Sequence, residues 1–319
     1  MAFPLPPAAM ENQTEVSEFI LLGLTKLQEL QCFLFALFLL LYMASVLGNG
    51  AIMAVVLAEP RLHTPMYFFL GNLSCLDICY STVTVPKMLA GFLSRHQIIS
   101  ITGCLIQLHF FHFLGSSEAV LLAVMAYDRY VAICNPLRYR LVMNPRVCLL
   151  LAVATWSSGF LHALMHTVMT SRLHFCGPNH VHHFFCDIKP FLACSSTRLN
   201  LSLLNIVTGT IALTPFIITL LSYLYIISFL FLKVQSWDGR RKAFSTCTSH
   251  LTVVTLLYVP VLFNYMTHSV GGSSEREMII TLMYTIVTPV LNPLIYTLRN
   301  QEVKSVLRKA LGRKLLPGK

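Results

Sequence analysis

The sequence predicts an all-α membrane protein: a seven-transmembrane helix bundle followed by a short amphipathic C-terminal helix. Three observations carry that reading. The 319 residues are 55% hydrophobic and only 11% charged, and the mean hydropathy is +0.68. A soluble domain carries roughly 25% charged residues, so this chain lacks the groups to coat a globule with a water-facing shell. Seven long apolar stretches recur between short polar breaks, and Lys and Arg are divided unevenly among those breaks. The same composition excludes disorder, which needs low hydrophobicity and high net charge. The net charge of +10 then bears on which breaks face the cytoplasm, not on nucleic acid.

Residues 1–29 form an N-terminal segment, 30–296 one membrane domain, and 297–319 a tail. The apolar stretches run from Leu30 to Leu57, from Pro65 to about Leu89, and from Ile101 to Cys134, the third polar in places and so facing the bundle interior. The others are Val147 to Met169, Leu199 to Leu232, Ala243 to Met266 and Met278 to Tyr296. About 20 apolar residues cross the hydrocarbon core; each stretch is long enough, the seventh only just. After Tyr296, Leu298, Val303, Val306, Leu307 and Ala310 recur at helical spacing among basic residues. That pattern predicts an amphipathic helix on the inner leaflet, with a frayed basic tail as the alternative.

An N-terminus outside the cell places 16 of the 23 Lys and Arg residues on the cytoplasmic side, as the positive-inside rule requires. Glu11, Glu15 and Glu18 agree with that orientation, as does the sequon Asn12-Gln13-Thr14, whose Asn12 is the expected glycosylation site. No cleavable signal peptide is evident in the first 25 residues, so the first span is expected to serve as an uncleaved anchor.

Several groups inside the spans call for an account. Asp77 and Glu118 fall within the second and third stretches, where a carboxylate is costly and points to function. Two such groups close together would share a proton or bind a cation; hydrogen bonding alone is the structural alternative. Pro215, Pro260, Pro289 and Pro293 each remove a ladder hydrogen bond and permit a kink. The loop from Arg172 to Arg198 holds Cys176, Cys186 and Cys194, with Cys104 at the outer end of the third stretch. An extracellular face permits disulfides there. His180, His182, His183, Cys186 and Asp187 could suit zinc or copper, or form a polar lid.

Five motifs then stand in register. Leu62-His63-Thr64-Pro65-Met66-Tyr67 opens the second stretch, and Met125-Ala126-Tyr127-Asp128-Arg129-Tyr130 lies at the end of the third. Ser222-Tyr223 lies in the fifth, Lys242-Ala243-Phe244-Ser245-Thr246-Cys247 opens the sixth, and Asn292-Pro293-Leu294-Ile295-Tyr296 closes the seventh. In order and spacing this set resembles the odorant receptors, the olfactory branch of the rhodopsin-like G-protein-coupled receptors, and within them the larger terrestrial-type class. Val259 stands where that pattern commonly has Gly after Tyr258. Residues 1 to 9 resemble an extension ahead of the usual start.

The resemblance implies an odorant receptor in the plasma membrane that binds a small-molecule odorant and activates a stimulatory, olfactory-type G protein, raising cyclic AMP. Asp128, Arg129 and Tyr130 would form the switch, with Arg129 released toward Tyr223, and Asn292, Pro293 and Tyr296 as further moving parts. Asp77, Glu118 and Asn292 match the superfamily's sodium pocket, the one inorganic cofactor implied. The disulfides would join Cys104 to Cys186 and Cys176 to Cys194, with Cys104 to Cys194 left open by a short gap. The ligand cavity would lie between the outer halves of the third, fifth and sixth spans. Helical phase then selects Leu108, Phe111, His112, Gly115 and Ser116 in the third, Val207, Thr208 and Ile211 in the fifth, and Tyr258, Val261, Leu262 and Tyr265 in the sixth. That lining suits a weakly polar volatile, with His112 as the orienting hydrogen-bonding group and an alcohol, ketone, aldehyde or ester favoured over a carboxylate. Membrane lipid is the other expected partner, and nucleic acid is not one.

Rival readings are weaker. A transporter or channel needs a polar path through several spans or paired broken helices, and neither is visible. An enzyme would need a catalytic motif, and no His-Glu-x-x-His, Gly-x-Ser-x-Gly or phosphate-binding loop is present. An amine receptor would need a carboxylate between Leu108 and Ser116. A rhodopsin-like receptor for another small ligand, outside the nose, is the nearest alternative.

Overall fold

Each apolar stretch is helical, and the helices pack side by side into one bundle. The computed structural model describes residues 18–21, 23–24, 27–94, 97–172, 180–181, 183–186, 198–267 and 274–299. Along the chain come β1 (Glu18–Leu21), α1 (Gln28–Ala58), α2 (Pro65–Leu93), β2 (Gln97–Ser100), α3 (Ile101–Cys134), α4 (Tyr139–Val142), α5 (Pro145–Ser171), β3 (His180–Val181), α6 (Arg198–Lys233), α7 (Trp237–Thr267), α8 (Ser274–Leu282) and α9 (Thr288–Arg299). A π turn, Met283–Val287, joins α8 to α9. Seven helical segments are long and apolar enough to cross a membrane, α8, the π turn and α9 together making the seventh. The protein is a multi-pass membrane protein.

Local chemistry fixes the helix starts. Ser100 Oγ accepts from Gly103 N at 3.1 Å to cap α3, and Asn144 Oδ1 accepts from Val147 N at 3.1 Å to cap α5. Pro65 and Pro145 sit in the first turn of α2 and α5, where their missing N–H has no ladder partner to lose. α7 begins six residues before the expected Ala243. Asp238, Arg240 and Arg241 ended the apolar stretch but not the helix, because charged residues are sound helix formers where water can reach them.

Large apolar side chains divide between interior and rim. Phe69, Leu73, Leu76, Leu121, Leu122 and Tyr258 are buried among α2, α3 and α7. Phe33, Leu40, Leu47, Leu221 and Phe231 are turned outward, the pattern of helices whose outer solvent is lipid.

The prolines are accommodated by neighbours. Pro293 cannot donate to the carbonyl of Pro289, and that oxygen accepts instead from Asn49 Nδ2 of α1 at 2.9 Å. Pro260 likewise leaves the Leu256 carbonyl without its ladder donor, and Thr288 Oγ1 approaches it at 3.5 Å. The π turn ends at Val287, two residues before Pro289, whose ring removes a further donor.

A three-stranded sheet, order β2-β1-β3, covers one end of the bundle. β1 runs antiparallel to β2, pairing Glu18 with Ser100 and Leu21 with Gln97, and parallel to β3, pairing Ile20 with His180. The sequence analysis did not anticipate these strands. The amphipathic helix expected after Tyr296 lies outside the described residues beyond Arg299, as do Asn12 and the first 17 residues.

Candidate functional site

Beneath the sheet, α2, α3, α5, α6, α7 and the π turn enclose a cavity of about 120 Å³. Of the side chains selected by helical phase, Phe111, His112, Gly115, Ser116, Thr208, Ile211, Tyr258 and Val261 line it. Leu108 does not: it is fully buried, packed with Leu105, Met165 and Met169 where α3 meets α5. Val207 and Leu262 are also absent from the wall, and the Tyr265 side chain lies outside those described. Tyr80, Ala119, His162, Ala212, Leu257 and Tyr284 complete the lining; sequence reasoning named none of them for this role. The close approach of α2 to α3 is set by Gly115, where a Cβ would stand 3.2 Å from Tyr80 Oη.

One wall is polar. Ser116 Oγ lies 2.7 Å from His162 Nδ1, His162 Nε2 lies 3.0 Å from His166 Nε2, and Thr208 Oγ1 lies 2.8 Å from His166 Nε2. His112 donates from Nδ1 to the Leu108 carbonyl at 3.1 Å, since a carbonyl only accepts. Its ring stacks on His166 with centroids 4.6 Å apart. α5 supplies two of these three imidazoles at i, i+4 spacing, which puts both on one helix face. An intramembrane ionisable pair in an otherwise apolar span was the signal that would have found them.

A segment next to the cavity is bonded to α3. Cys104 and Cys186 form a disulfide, and the Cys186 N–H donates to Gln107 Oε1 at 3.1 Å. Phe185 packs against the cavity-lining Phe111, with ring centroids 4.5 Å apart. Cys176 and Cys194 lie outside the described residues. Of the histidine-rich stretch, His183 is buried beside Phe184 and Phe185, and Cys186 is committed to its disulfide. Among the described residues no group of three or more His, Cys, Asp or Glu side chains is arranged to hold a metal ion.

Deeper in the bundle, Asn292 Nδ2 donates to both carboxylate oxygens of Asp77, at 3.1 and 3.0 Å. Asp77, Glu118 and Asn292 are all buried. Glu118 Oε1 and Asn292 Oδ1 have no hydrogen-bond partner among the described residues. Buried oxygens left with free lone pairs suit a hard cation or an added proton, so the donor set fits sodium. Tyr258 Oη closes this level by donating to the Ala119 carbonyl at 2.9 Å.

At the end of α3 away from the sheet, Arg129 Nη2 lies 4.0 Å from Asp128 Oδ2. Tyr139 of α4 donates to the other oxygen, Oδ1, at 2.7 Å. Burial, with the Asp128 carboxylate beside it, pushes the Tyr139 phenol above its ordinary range. Tyr223 is not bonded to Arg129; its hydroxyl meets His250 Nδ1 of α7 at 2.7 Å. Tyr130 packs edge-on against Tyr225, and Tyr296 Oη is buried without a partner among the described residues. Pro293 packs at Gly48, where an added Cβ would sit 3.1 Å away. Tyr139 and His250 were not singled out from sequence: Tyr139 lies outside the five motifs, and His250 falls just past the one opening the sixth stretch.

Comparison with known proteins adds to this geometry. A family model described as olfactory receptor matches residues 38–314. Olfactory receptor 12D1 of Homo sapiens is 62% identical over 97% of this chain and 97% of its own. Olfactory receptor 12D2, also human, is 60% identical over 95% of this chain and all of its own length. Olfactory receptor 5T7 of Mus musculus is 47% identical over 97% of this chain and 100% of its own.

Proposed function

This chain belongs to the olfactory receptor family, and from that premise we propose how it works as an odorant receptor. The family is one of G-protein-coupled receptors, not of enzymes; its ligands are odorants and its partners G proteins. In the proposed reading, a small, mostly apolar volatile occupies the cavity between α3, α5, α6 and α7. The observation that carries this is the lining itself: aromatic and aliphatic walls with one polar side. Such a cavity holds an uncharged molecule by burial and orients it through few hydrogen bonds.

Binding favours a state in which α7 swings outward about Pro260, to the extent that the odorant binds that state more tightly. The swing separates His250 from Tyr223 and frees Tyr223 to meet Arg129. Arg129 then leaves Asp128, and the opened end takes the G protein, here proposed to be of the stimulatory olfactory type that raises cyclic AMP. A sodium ion held by Asp77, Glu118 and Asn292 would neutralise buried carboxylate charge and favour the resting state. The orientation proposed is N-terminus outside, in the plasma membrane, with Arg138, Arg140 and Arg240 also near anionic lipid, and Asn12 glycosylated.

The deciding experiment is cyclic AMP measured in cells expressing the chain against an odorant panel, beside Arg129→Ala and the cavity-filling Ala212→Trp. Both variants should reach the surface and lose the response. A response that survives Arg129→Ala would remove the switch, and one that survives Ala212→Trp would remove the cavity as ligand site.

A further inference from the structure

The polar wall ties the direction of one serine hydroxyl to the tautomers of two histidines. A neutral imidazole carries one proton on one of its two nitrogens. His162 Nε2 and His166 Nε2 face each other at 3.0 Å, so they share a bond only when one is protonated and the other bare. That restriction couples the two rings and leaves two arrangements. With a proton on His162 Nε2, its Nδ1 is bare; Ser116 gives its hydroxyl proton to that nitrogen, 2.7 Å away, and turns a lone pair to the cavity. With the proton on His166 Nε2, His162 carries its own on Nδ1 and donates to Ser116 Oγ. The Ser116 hydroxyl proton then turns to the cavity. His166 Nε2 has a single proton or lone pair to offer, and Thr208 Oγ1, 2.8 Å from it and 3.5 Å from His162 Nε2, shares that position with His162 as a three-centre bond in either arrangement. Ser116 and His162 line the cavity, and His166 is buried behind them.

We propose that this chain of atoms makes Ser116 a reversible contact, an acceptor toward a ligand that donates and a donor toward a ligand that accepts. The receptor would then take small uncharged odorants of either polarity in one pocket. The assignment rests on reading this cavity as the ligand site, and it moves the orienting role from His112 to Ser116 and His162. A site fixed in one polarity leaves a buried group unpaired when offered the other, and rejects that ligand; a reversible one avoids the penalty. Exchange between the arrangements conserves charge. In the first arrangement the second proton of the pair sits on His166 Nδ1, in the other on His162 Nδ1; His166 Nδ1 is buried without a partner among the described residues in both, and both rings stay neutral.

Three five-membered rings of similar size test this on the full-length receptor in lipid nanodiscs with ¹⁵N-labelled histidine. Cyclopentanone only accepts, the pyrrole N–H only donates, and cyclopentane does neither. The first two should bind about fivefold more tightly than cyclopentane, the worth of one net hydrogen bond. The His162 proton should sit on Nδ1 with cyclopentanone and on Nε2 with pyrrole. In Ser116→Ala, whose fold is checked by its thermal unfolding, the first two should fall to about the level at which the same variant binds cyclopentane. The same His162 tautomer with both probes, no preference over cyclopentane, a preference that survives Ser116→Ala, or no binding of any probe would each overturn the proposal. These readouts need no G protein. An odorant-driven cyclic AMP response beside a failure here would sink this assignment alone, and binding as described without signalling would sink the signalling reading alone.

Discussion

Asn49 of α1 donates its side-chain amide to the carbonyl of Pro289 at 2.9 Å, and to that of Ser45 at 3.1 Å. One side chain thus ties the first helix to the last at the point where Pro293 has broken the last helix's own ladder. Asn49→Leu keeps the volume and removes the donor. The variant should lose about 1–2 kcal/mol of stability, the cost of a buried carbonyl left unpaired. Thermal unfolding of the purified receptor reads this, and an unchanged midpoint would refute the account.

Tyr139 should restrain basal signalling. Its hydroxyl holds Asp128 on the side away from Arg129, so Tyr139→Phe weakens the arrangement that keeps α3 at rest. Loss of about 1 kcal/mol from the resting state raises the active fraction about fivefold, measurable as ligand-free nucleotide exchange on added G protein. The phenol's pKa is raised in the folded protein, so the donating form is fully present below the ordinary value of about 10. The contact is lost only as pH climbs past the raised value. The ratio between variant and wild type should therefore stay level from pH 6 to pH 9; a ratio that fell toward one across that range would contradict the assignment.

Gly159 sets the spacing of α3 and α5. A Cβ there would overlap Ser117 Oγ and come within 2.6 Å of the Phe113 carbonyl oxygen. Gly159→Ala should cost about 1–3 kcal/mol through forced separation, visible as reduced surface expression. Ser117→Ala in the same chain should not restore it, because the backbone oxygen remains in the way. Full rescue by the double variant would show that the clash is with the side chain alone.

Sodium dependence is expected to run through Asp77. The wild-type receptor should unfold at a higher temperature in sodium chloride than in choline chloride at equal ionic strength. Asp77→Asn should abolish that difference, since it removes the charged ligand while keeping the shape. A difference that persists in Asp77→Asn would place the ion elsewhere.

Much of this was legible in the residues because lipid enforces a simple code. Hydrocarbon demands long apolar helices, and the boundaries of α1, α3, α5 and α6 fall within two residues of those read from hydropathy. Helical phase brought Phe111, His112, Gly115 and Ser116 to one wall because α3 is regular throughout that stretch. It misplaced Leu108, which lies on the same stripe but one turn higher, where α5 rather than space faces it. His162 and His166 were passed over since α5 has no apolar stripe to mark an inner face; only partners on α3 and α6 give those imidazoles a role. The sheet was invisible for another reason. Strands of four residues or fewer show no period, and their partners lie far apart along the chain.

That sheet has a practical bearing on how the molecule is handled. The ribbon starting at Glu18 is stitched to β3, and β3 leads within five residues to Phe185, which packs on the cavity-lining Phe111. An epitope tag or fluorescent fusion attached upstream of Glu18 therefore hangs from the same fabric as Phe185. Trimming the chain back into that ribbon would remove the pairing that holds β3 ahead of Phe185, even though no pocket atom had been touched.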